Sequence, residues 1–128
     1  MTTWSAPVRY AEVDGQGVVF NSHYLLYADE AMNAFCRAHS LGPVADHVQL
    51  VTSTLTWKSG ARWGEVVAVD VACRRVGTSS FTLTFDMTAD GHPCCVVETV
   101  YVLVIDGRPA RIPDDMRAAL TAPVPSPG

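Results

Sequence analysis

One stretch does most to decide the fold: it reads YAEVDGQGVVFNSHY and runs from Tyr10 to Tyr24. It places Asp14 on a turn with Gly15 and Gly17, directly before a segment with a helical pattern. The glycines permit a tight turn with unusual dihedral angles, so regular structure is expected to break there. The first N–H groups of a helix have no intrahelical partner and carry partial positive charge. A carboxylate held beside them is suited to attack on a carbonyl, because those N–H groups can stabilise an oxyanion.

The segment after this turn is predicted to form one long helix from Ser22 to about His39. It is rich in Ala, Leu and Met and contains no Pro or Gly. Ser22 is a suitable N-cap, and the run from Leu41 to Pro43 supplies a stop signal. Apolar residues cover most of the helix surface, so we expect it to pack deeply against a sheet.

Five further runs are typical of strands. The first is Trp4–Tyr10, in which Val8 and Tyr10 would share one face. The other four are Val48–Trp57, Glu65–Arg74, Ser80–Thr88 and Cys94–Ile105. They are rich in Val, Thr and aromatic residues, and several alternate apolar with polar positions. Between the last two, Asp90-Gly91 is a strong hairpin signal.

The order of these elements predicts an α+β protein, with one strand, one long helix and four meandering antiparallel strands. A short C-terminal helix is expected over Ile112–Leu120, starting at Pro113. The chain of 128 residues should form a single domain over residues 1–120. Residues 121–128, three of which are Pro, are expected to be a disordered tail.

Composition excludes several classes of function. The net charge of −4 argues against nonspecific binding to nucleic acid or to a membrane surface, because the required basic field is missing. No apolar stretch approaches the length that crosses a bilayer, and the N-terminus lacks the pattern of a signal peptide. The four cysteines have no Cys-x-x-Cys spacing, which favours buried thiols in the cytoplasm over a disulfide framework.

Neither a cofactor nor a metal is expected. The sequence contains no P-loop, no dinucleotide-binding glycine pattern and no Gly-x-Ser-x-Gly motif. The run from His92 to Cys95 brings only two or three possible ligands together, and its Asp-Gly-His-Pro context indicates a hairpin instead.

From Tyr10 to about Asp29 the chain resembles the hotdog-fold acyl-CoA thioesterases, in the branch that contains 4-hydroxybenzoyl-CoA thioesterases. The matching positions are Asp14-x-x-Gly17-Val-Val-Phe-Asn21-x-x-Tyr24-Leu-x-Tyr27. The resemblance implies a five-stranded antiparallel sheet wrapped around one long central helix. It also implies hydrolysis of acyl-CoA thioesters to free acid and CoA, in a homodimer or homotetramer.

The resemblance also implies roles for individual residues. Asp14 would be the catalytic carboxylate, acting either as general base on water or as nucleophile, and the residues leave both routes open. The backbone N–H of Asn21 would be the oxyanion donor, although relatives of one bacterial branch usually carry histidine there. Tyr10 matches a tyrosine of that branch four positions before the acid. His23 is a rival candidate for the base.

Substrate contacts are expected from Gly17, Tyr24, Arg62, Arg75 and Ser80. Arginine is well suited to bidentate contacts with phosphate groups. Some relatives carry basic residues in the turn that touches the nucleotide or the pantetheine arm, whereas Gly77, Thr78 and Ser79 are uncharged here. Two alternatives therefore stay open: a substrate carried by acyl carrier protein, and a non-catalytic protein that binds acyl thioesters.

Overall fold

A computed structural model, which describes residues 2–42 and 46–123, shows an α+β fold with one antiparallel sheet. The strands are β1 (Trp4–Pro7), β2 (Val48–Trp57), β3 (Val66–Val76), β4 (Ser80–Ala89), β5 (His92–Ile105) and β6 (Arg108–Pro109). Helix α1 spans His23–Ala38 and helix α2 spans Asp114–Thr121. The predicted α+β class is therefore confirmed.

The strand order is β1-β3-β4-β5-β2, and β6 pairs with the end of β5. The described sheet has six strands, so the predicted number of five is wrong. The sixth arises because Asp106-Gly107 folds the chain back on itself, with φ of 52° and 77°. Asp90-Gly91 makes the same kind of turn with φ of 45° and 87°, and this predicted hairpin is confirmed. Positive φ at both central residues is the requirement of a type I′ turn.

The first strand is shorter than predicted and ends at Pro7 instead of Tyr10. Residues Tyr10–Glu12 form a 3-10 turn, which the Glu12 carboxylate closes by accepting the Arg9 N–H at 2.8 Å. Val8 is buried, whereas Tyr10 is 72% exposed. The expected inward-facing pair of Val8 and Tyr10 is therefore wrong, because a side-chain contact overrides the local strand pattern.

Helix α1 begins and ends within one residue of the predicted bounds. Ser22 occupies the N-cap but its side chain makes no capping hydrogen bond. The helix ends in a Schellman motif: Ser40 is left-handed, with φ of 59°, and the Leu41 N–H donates to the Cys36 carbonyl at 2.6 Å. The predicted stop signal extended to Pro43, which lies outside the described residues.

The core lies between α1 and one face of the sheet, where the helix packs on β1, β3 and β5. The helix contributes Tyr24, Tyr27, Ala28, Ala31, Met32, Phe35 and Cys36 as buried residues. Strand β4 alternates as predicted and buries Phe81, Leu83, Phe85, Met87 and Ala89. This packing fixes the start of α1 relative to the sheet, which sets the position of the loop before it.

The chain's C-terminal helix and its cysteines also bear on the predictions. Helix α2 starts at Asp114, with Pro113 as its N-cap, and buries Met116 and Leu120. The helix includes Thr121, which the sequence analysis assigns to the tail. Residues 124–128 of the expected tail lie outside the described residues. All four cysteines are free.

In the described part of the chain, neither helix is both long and apolar enough to span a membrane.

Candidate active site

The loop that carries Asp14 is a small closed hairpin. Val13 and Val19 form an isolated antiparallel bridge, and the Asp14 N–H donates to the Val18 carbonyl at 2.8 Å. The Gly17 N–H returns to the Asp14 carbonyl at 3.0 Å. Gly17 has φ of 79°, a conformation that costs a residue with a side chain about 1–2 kcal/mol. The glycine is therefore required by the turn itself.

A crevice of about 200 Å³ opens beside the start of α1. Its lining residues are Val18, Val19, Asn21, Tyr24, Trp57, Lys58, Ser59 and Gly60. Asn21 is exposed and directly precedes the N-cap, and its N–H donates no hydrogen bond within residues 2–42 and 46–123. An N–H group in this position can bind a developing negative charge.

Asp14 is half-buried and lies beside this crevice without lining it. Its carboxylate accepts the Gln16 N–H at 2.8 Å and lies 3.5 Å from the Val18 nitrogen. Val18 lines the crevice, so a residue that contacts the Asp14 carboxylate also forms part of the crevice wall. Asp14 and Asn21 both lie in the short segment between the 3-10 turn and α1.

The facing wall comes from the connector between β2 and β3, residues 58–65. The Val19 N–H donates to the Ala61 carbonyl at 2.8 Å, and the Ala61 N–H donates to the Tyr24 hydroxyl at 3.1 Å. Tyr24 is 1% exposed, and this burial raises its pKa, so the hydroxyl stays protonated. Although Tyr24 was predicted to contact substrate, its hydroxyl is used to hold the connector against α1.

Sequence reasoning missed a buried carboxylate next to this loop. Glu12 is 5% exposed and accepts hydrogen bonds from the Arg9 guanidinium at 3.1 Å and from the Tyr27 hydroxyl at 2.9 Å. His23 Nε2 lies 2.8 Å from the same carboxylate. Burial would raise the pKa of Glu12, but the hydrogen bonds from Arg9, Tyr27 and His23 outweigh it and lower the pKa to about 2. The carboxylate is therefore ionised at neutral pH.

Glu12 fastens the Asp14 loop to α1. Its carbonyl accepts the Phe20 N–H at 3.0 Å, and its carboxylate contacts two side chains of the helix. A signal for this was present in the sequence, because His23 and Tyr27 are four residues apart and share one face of the helix. Two polar tips on a buried face require a partner. The contact also engages one nitrogen of His23, the rival candidate for the base.

The remaining predicted residues fall into separate places. Tyr10 lies on the surface and does not line the crevice. Its ring is edge-on to that of Trp63, with 5.3 Å between the ring centroids. Arg62 pairs with Val18 through a backbone bridge, so it borders the crevice. Arg75 and Ser80 line a different cavity, of about 180 Å³. The described residues contain no group of three or more His, Cys, Asp or Glu that could hold a metal ion.

Comparisons with known proteins place these features in context. A family model described as the thioesterase-like superfamily matches residues 8–120. A hypothetical protein from Thermus thermophilus is 30% identical, with a TM-score of 0.84 over 91% of this chain and 95% of that one. A thioesterase from the same organism, complexed with coenzyme A and Zn, is 25% identical. Its TM-score is 0.84, and the match covers 91% of this chain and 89% of that one.

A third similar structure is a 1,4-dihydroxy-2-naphthoyl-CoA thioesterase from Synechocystis. It is 17% identical, with a TM-score of 0.79 over 91% of this chain and 93% of that one, and at this identity it shows the fold alone. The comparison with curated proteins gives no match.

Proposed function

Because this chain belongs to the thioesterase-like superfamily and is a thioester hydrolase, we propose that it cleaves acyl-CoA thioesters to a free acid and CoA. The observation that carries this proposal is the crevice at the start of α1, which is lined by Asn21, a residue whose backbone N–H has no partner in the described chain. A thioester carbonyl seated there would have its oxygen stabilised as negative charge develops. The similar thioesterase complexed with coenzyme A supports CoA as the carrier.

We assign the catalytic carboxylate to Asp14, which borders the crevice through Val18. As general base, Asp14 would take a proton from water while the water oxygen adds to the carbonyl carbon. As nucleophile, it would bond to that carbon and form a mixed anhydride, which water then hydrolyses. In either route the C–S bond breaks and the sulfur leaves as thiolate. No strong general acid is needed, because a thiol has a pKa of roughly 8.5.

A homo-oligomer completes the proposal, in a hotdog arrangement with the sheet curved around α1. Strand β2 ends the sheet order and exposes Leu50 and Val51. An exposed strand edge with apolar side chains is a template for pairing with another chain. We propose that two copies pair there as a dimer, and that dimers can pair into a tetramer. Sedimentation velocity tests this, since a monomer at micromolar concentration would exclude it.

The decisive experiment measures thiol release from acyl-CoA substrates by wild type, Asp14→Asn and Asp14→Ala. Both variants should lose kcat by about 100-fold or more, the usual contribution of a general base. Asp106→Asn makes the same change in another Asp-Gly turn and should keep full activity. Full activity of folded Asp14→Ala would remove Asp14 from the mechanism.

The same assay distinguishes the carriers. Acyl-pantetheine lacks the nucleotide, so equal kcat/KM for acyl-pantetheine and acyl-CoA would favour acyl carrier protein over CoA. Binding of both substrates without any turnover by the wild type would favour a non-catalytic binding protein.

A further inference from the structure

Ser59 lies in the crevice wall and is held by a chain of short hydrogen bonds. Its hydroxyl lies 2.6 Å from the Pro93 carbonyl and 2.8 Å from His92 Nδ1. The other ring nitrogen of His92, Nε2, lies 3.0 Å from one carboxylate oxygen of Glu65. The second Glu65 oxygen accepts the Arg62 N–H at 2.6 Å. The contacts form one continuous network from the crevice wall to the start of β3.

Two members of this network can only accept hydrogen bonds. The Pro93 carbonyl accepts the Ser59 hydrogen, and the Glu65 carboxylate accepts from His92 Nε2. These contacts orient the His92 ring with its Nδ1 against the Ser59 oxygen.

A serine, a histidine and a carboxylate are also the members of a catalytic triad, but these three are arranged differently. In a triad the histidine accepts the serine proton and so activates the oxygen as a nucleophile. Here the Ser59 hydroxyl has another acceptor, the Pro93 carbonyl, which lies 2.6 Å away and accepts its hydrogen. Ser59 is consequently held in place and is not activated.

The network joins the connector between β2 and β3 to the start of β5. Two consecutive N–H groups, of Lys58 and Ser59, donate to the Cys94 carbonyl at 2.8 and 3.2 Å. Arg62, which Glu65 fixes, is bridged to Val18 on the Asp14 loop. The wall therefore depends on contacts to β5 on one side and to the Asp14 loop on the other.

We propose that Glu65 and His92 are positioning residues, which fix the Ser59 hydroxyl and with it the wall of the crevice that Asn21 also lines. The proposal rests on the proposed thioester hydrolysis in that crevice. Neither Glu65 nor His92 lines the crevice, so both act through Ser59. The side chain of His92 is 42% exposed, and ion pairs this exposed contribute little to folding stability. Their effect should therefore appear in substrate binding.

Steady-state kinetics test this role. Ser59→Ala, His92→Ala and Glu65→Ala should each raise KM about tenfold and leave kcat within about twofold, since the wall binds substrate but performs no chemistry. Glu98→Ala is the matched control, because it removes a 2.7 Å contact with Arg74 outside the network and should change neither parameter. Unchanged KM in the three variants would overturn the proposal. A collapse of kcat in Ser59→Ala would also overturn it, because it would show that Ser59 takes part in the chemical step.

The KM of a double variant shows whether Glu65 and Ser59 act together or affect the crevice independently. If Glu65 acts through Ser59, Ser59→Ala with Glu65→Ala should raise KM no further than the stronger single variant does. Effects on KM that multiply would show that Glu65 acts elsewhere, and would overturn the proposal.

Substrate affinity gives a readout that does not depend on turnover. In isothermal titration with a non-hydrolysable acyl-CoA thioether, Ser59→Ala, His92→Ala and Glu65→Ala should each bind about tenfold more weakly than wild type, and Glu98→Ala should bind like wild type. Wild-type affinity in all three variants would overturn the proposal. Weakened binding in the three variants of a protein that hydrolyses no thioester would instead mean that the proposed function has failed and the role of the network stands.

Discussion

The Tyr27 hydroxyl donates a 2.9 Å hydrogen bond to the buried carboxylate of Glu12. Tyr27 lies on α1, and Glu12 ends the 3-10 turn that leads into the Asp14 loop. Because both side chains are buried, water cannot easily replace this bond when it is lost. The contact therefore sets how the loop lies against the start of the helix.

Removal of the Tyr27 hydroxyl should lower the stability of the fold. Tyr27→Phe should lower the free energy of unfolding by about 1.5–3 kcal/mol, the usual contribution of a hydrogen bond to a charged group. Urea unfolding at neutral pH measures it. Tyr10→Phe deletes a hydroxyl from a side chain that is 72% exposed and should cost less than about 0.5 kcal/mol. Equal stability of the two variants would contradict the role given to Tyr27.

The Tyr10→Phe control also tests a prediction about catalysis. The resemblance to one bacterial branch assigns Tyr10 to the catalytic residues, but its ring contacts Trp63 at the surface. Thiol release by Tyr10→Phe at the wild-type rate would exclude a catalytic role for its hydroxyl, whereas a large loss of kcat would support one.

Acid should destabilise the protein through Glu12. The pKa of this carboxyl is lowered from 4.5 to about 2, which corresponds to a stabilisation of about 3 kcal/mol at neutral pH. A lowered pKa stabilises the fold above the unfolded-state value, and the contribution is lost as pH falls from about 4.5 to about 2. Glu12→Gln should show a flatter fall in unfolding free energy over this range. Exposed Glu30→Gln is the control, and the same slope in wild type and Glu12→Gln would contradict the prediction.

Most of the fold could be predicted because local pattern and tertiary structure agree. Strand β2 has the predicted bounds, Val48–Trp57, and the Asp90-Gly91 hairpin forms where its turn chemistry indicates. The errors occur where other contacts decide. Alternation predicts a strand as far as Tyr10, but Glu12 closes a turn there. The Asp106-Gly107 turn has the same chemistry as Asp90-Gly91, but the strand after it has only two residues, too few to show a strand pattern.

The candidate site could be predicted only where it lies in one stretch of chain. Asp14, Gly17 and Asn21 share a loop, so the sequence places them together. The facing wall could not be predicted, because Glu65 and His92 meet across 27 residues of chain. Such a contact between two strand ends leaves no periodic pattern in a single sequence. The contacts of Glu12 with His23 and Tyr27 could not be predicted either, because they depend on how α1 packs.

The oxyanion role belongs to the backbone of Asn21, and this can be separated from its side chain. Asn21→Ala keeps the N–H and should leave kcat within about threefold, whereas Asn21→Pro removes it and should reduce kcat by about 100-fold or more. Circular dichroism and thermal unfolding check that the proline variant keeps its fold. A folded Asn21→Pro with full kcat would exclude this N–H, and a collapse in Asn21→Ala would implicate the side chain.

Gly60 holds the crevice wall close to the Asp14 loop, and a methyl group there should disturb both. An added Cβ would lie 2.7 Å from Val18 Cγ1 and 3.0 Å from Val18 Cβ. Valine is stiff about χ1, so the wall or the loop must shift. Gly60→Ala should therefore lower the free energy of unfolding by about 1–3 kcal/mol, as overpacking usually does, and raise KM.

Two further variants decide whether the Gly60–Val18 contact is the cause. Gly15→Ala places a methyl group in the same region with nothing within 4 Å, so it should resemble wild type in stability and KM. Val18→Ala with Gly60→Ala removes the 2.7 Å contact and should recover part of the stability lost in Gly60→Ala. If Gly60→Ala has the same unfolding free energy and KM as Gly15→Ala, the wall can move to admit the methyl group. Close packing at Gly60 would then not determine the shape of the crevice. If the double variant is less stable than Gly60→Ala by the full cost of Val18→Ala alone, the damage arises from a contact other than Val18.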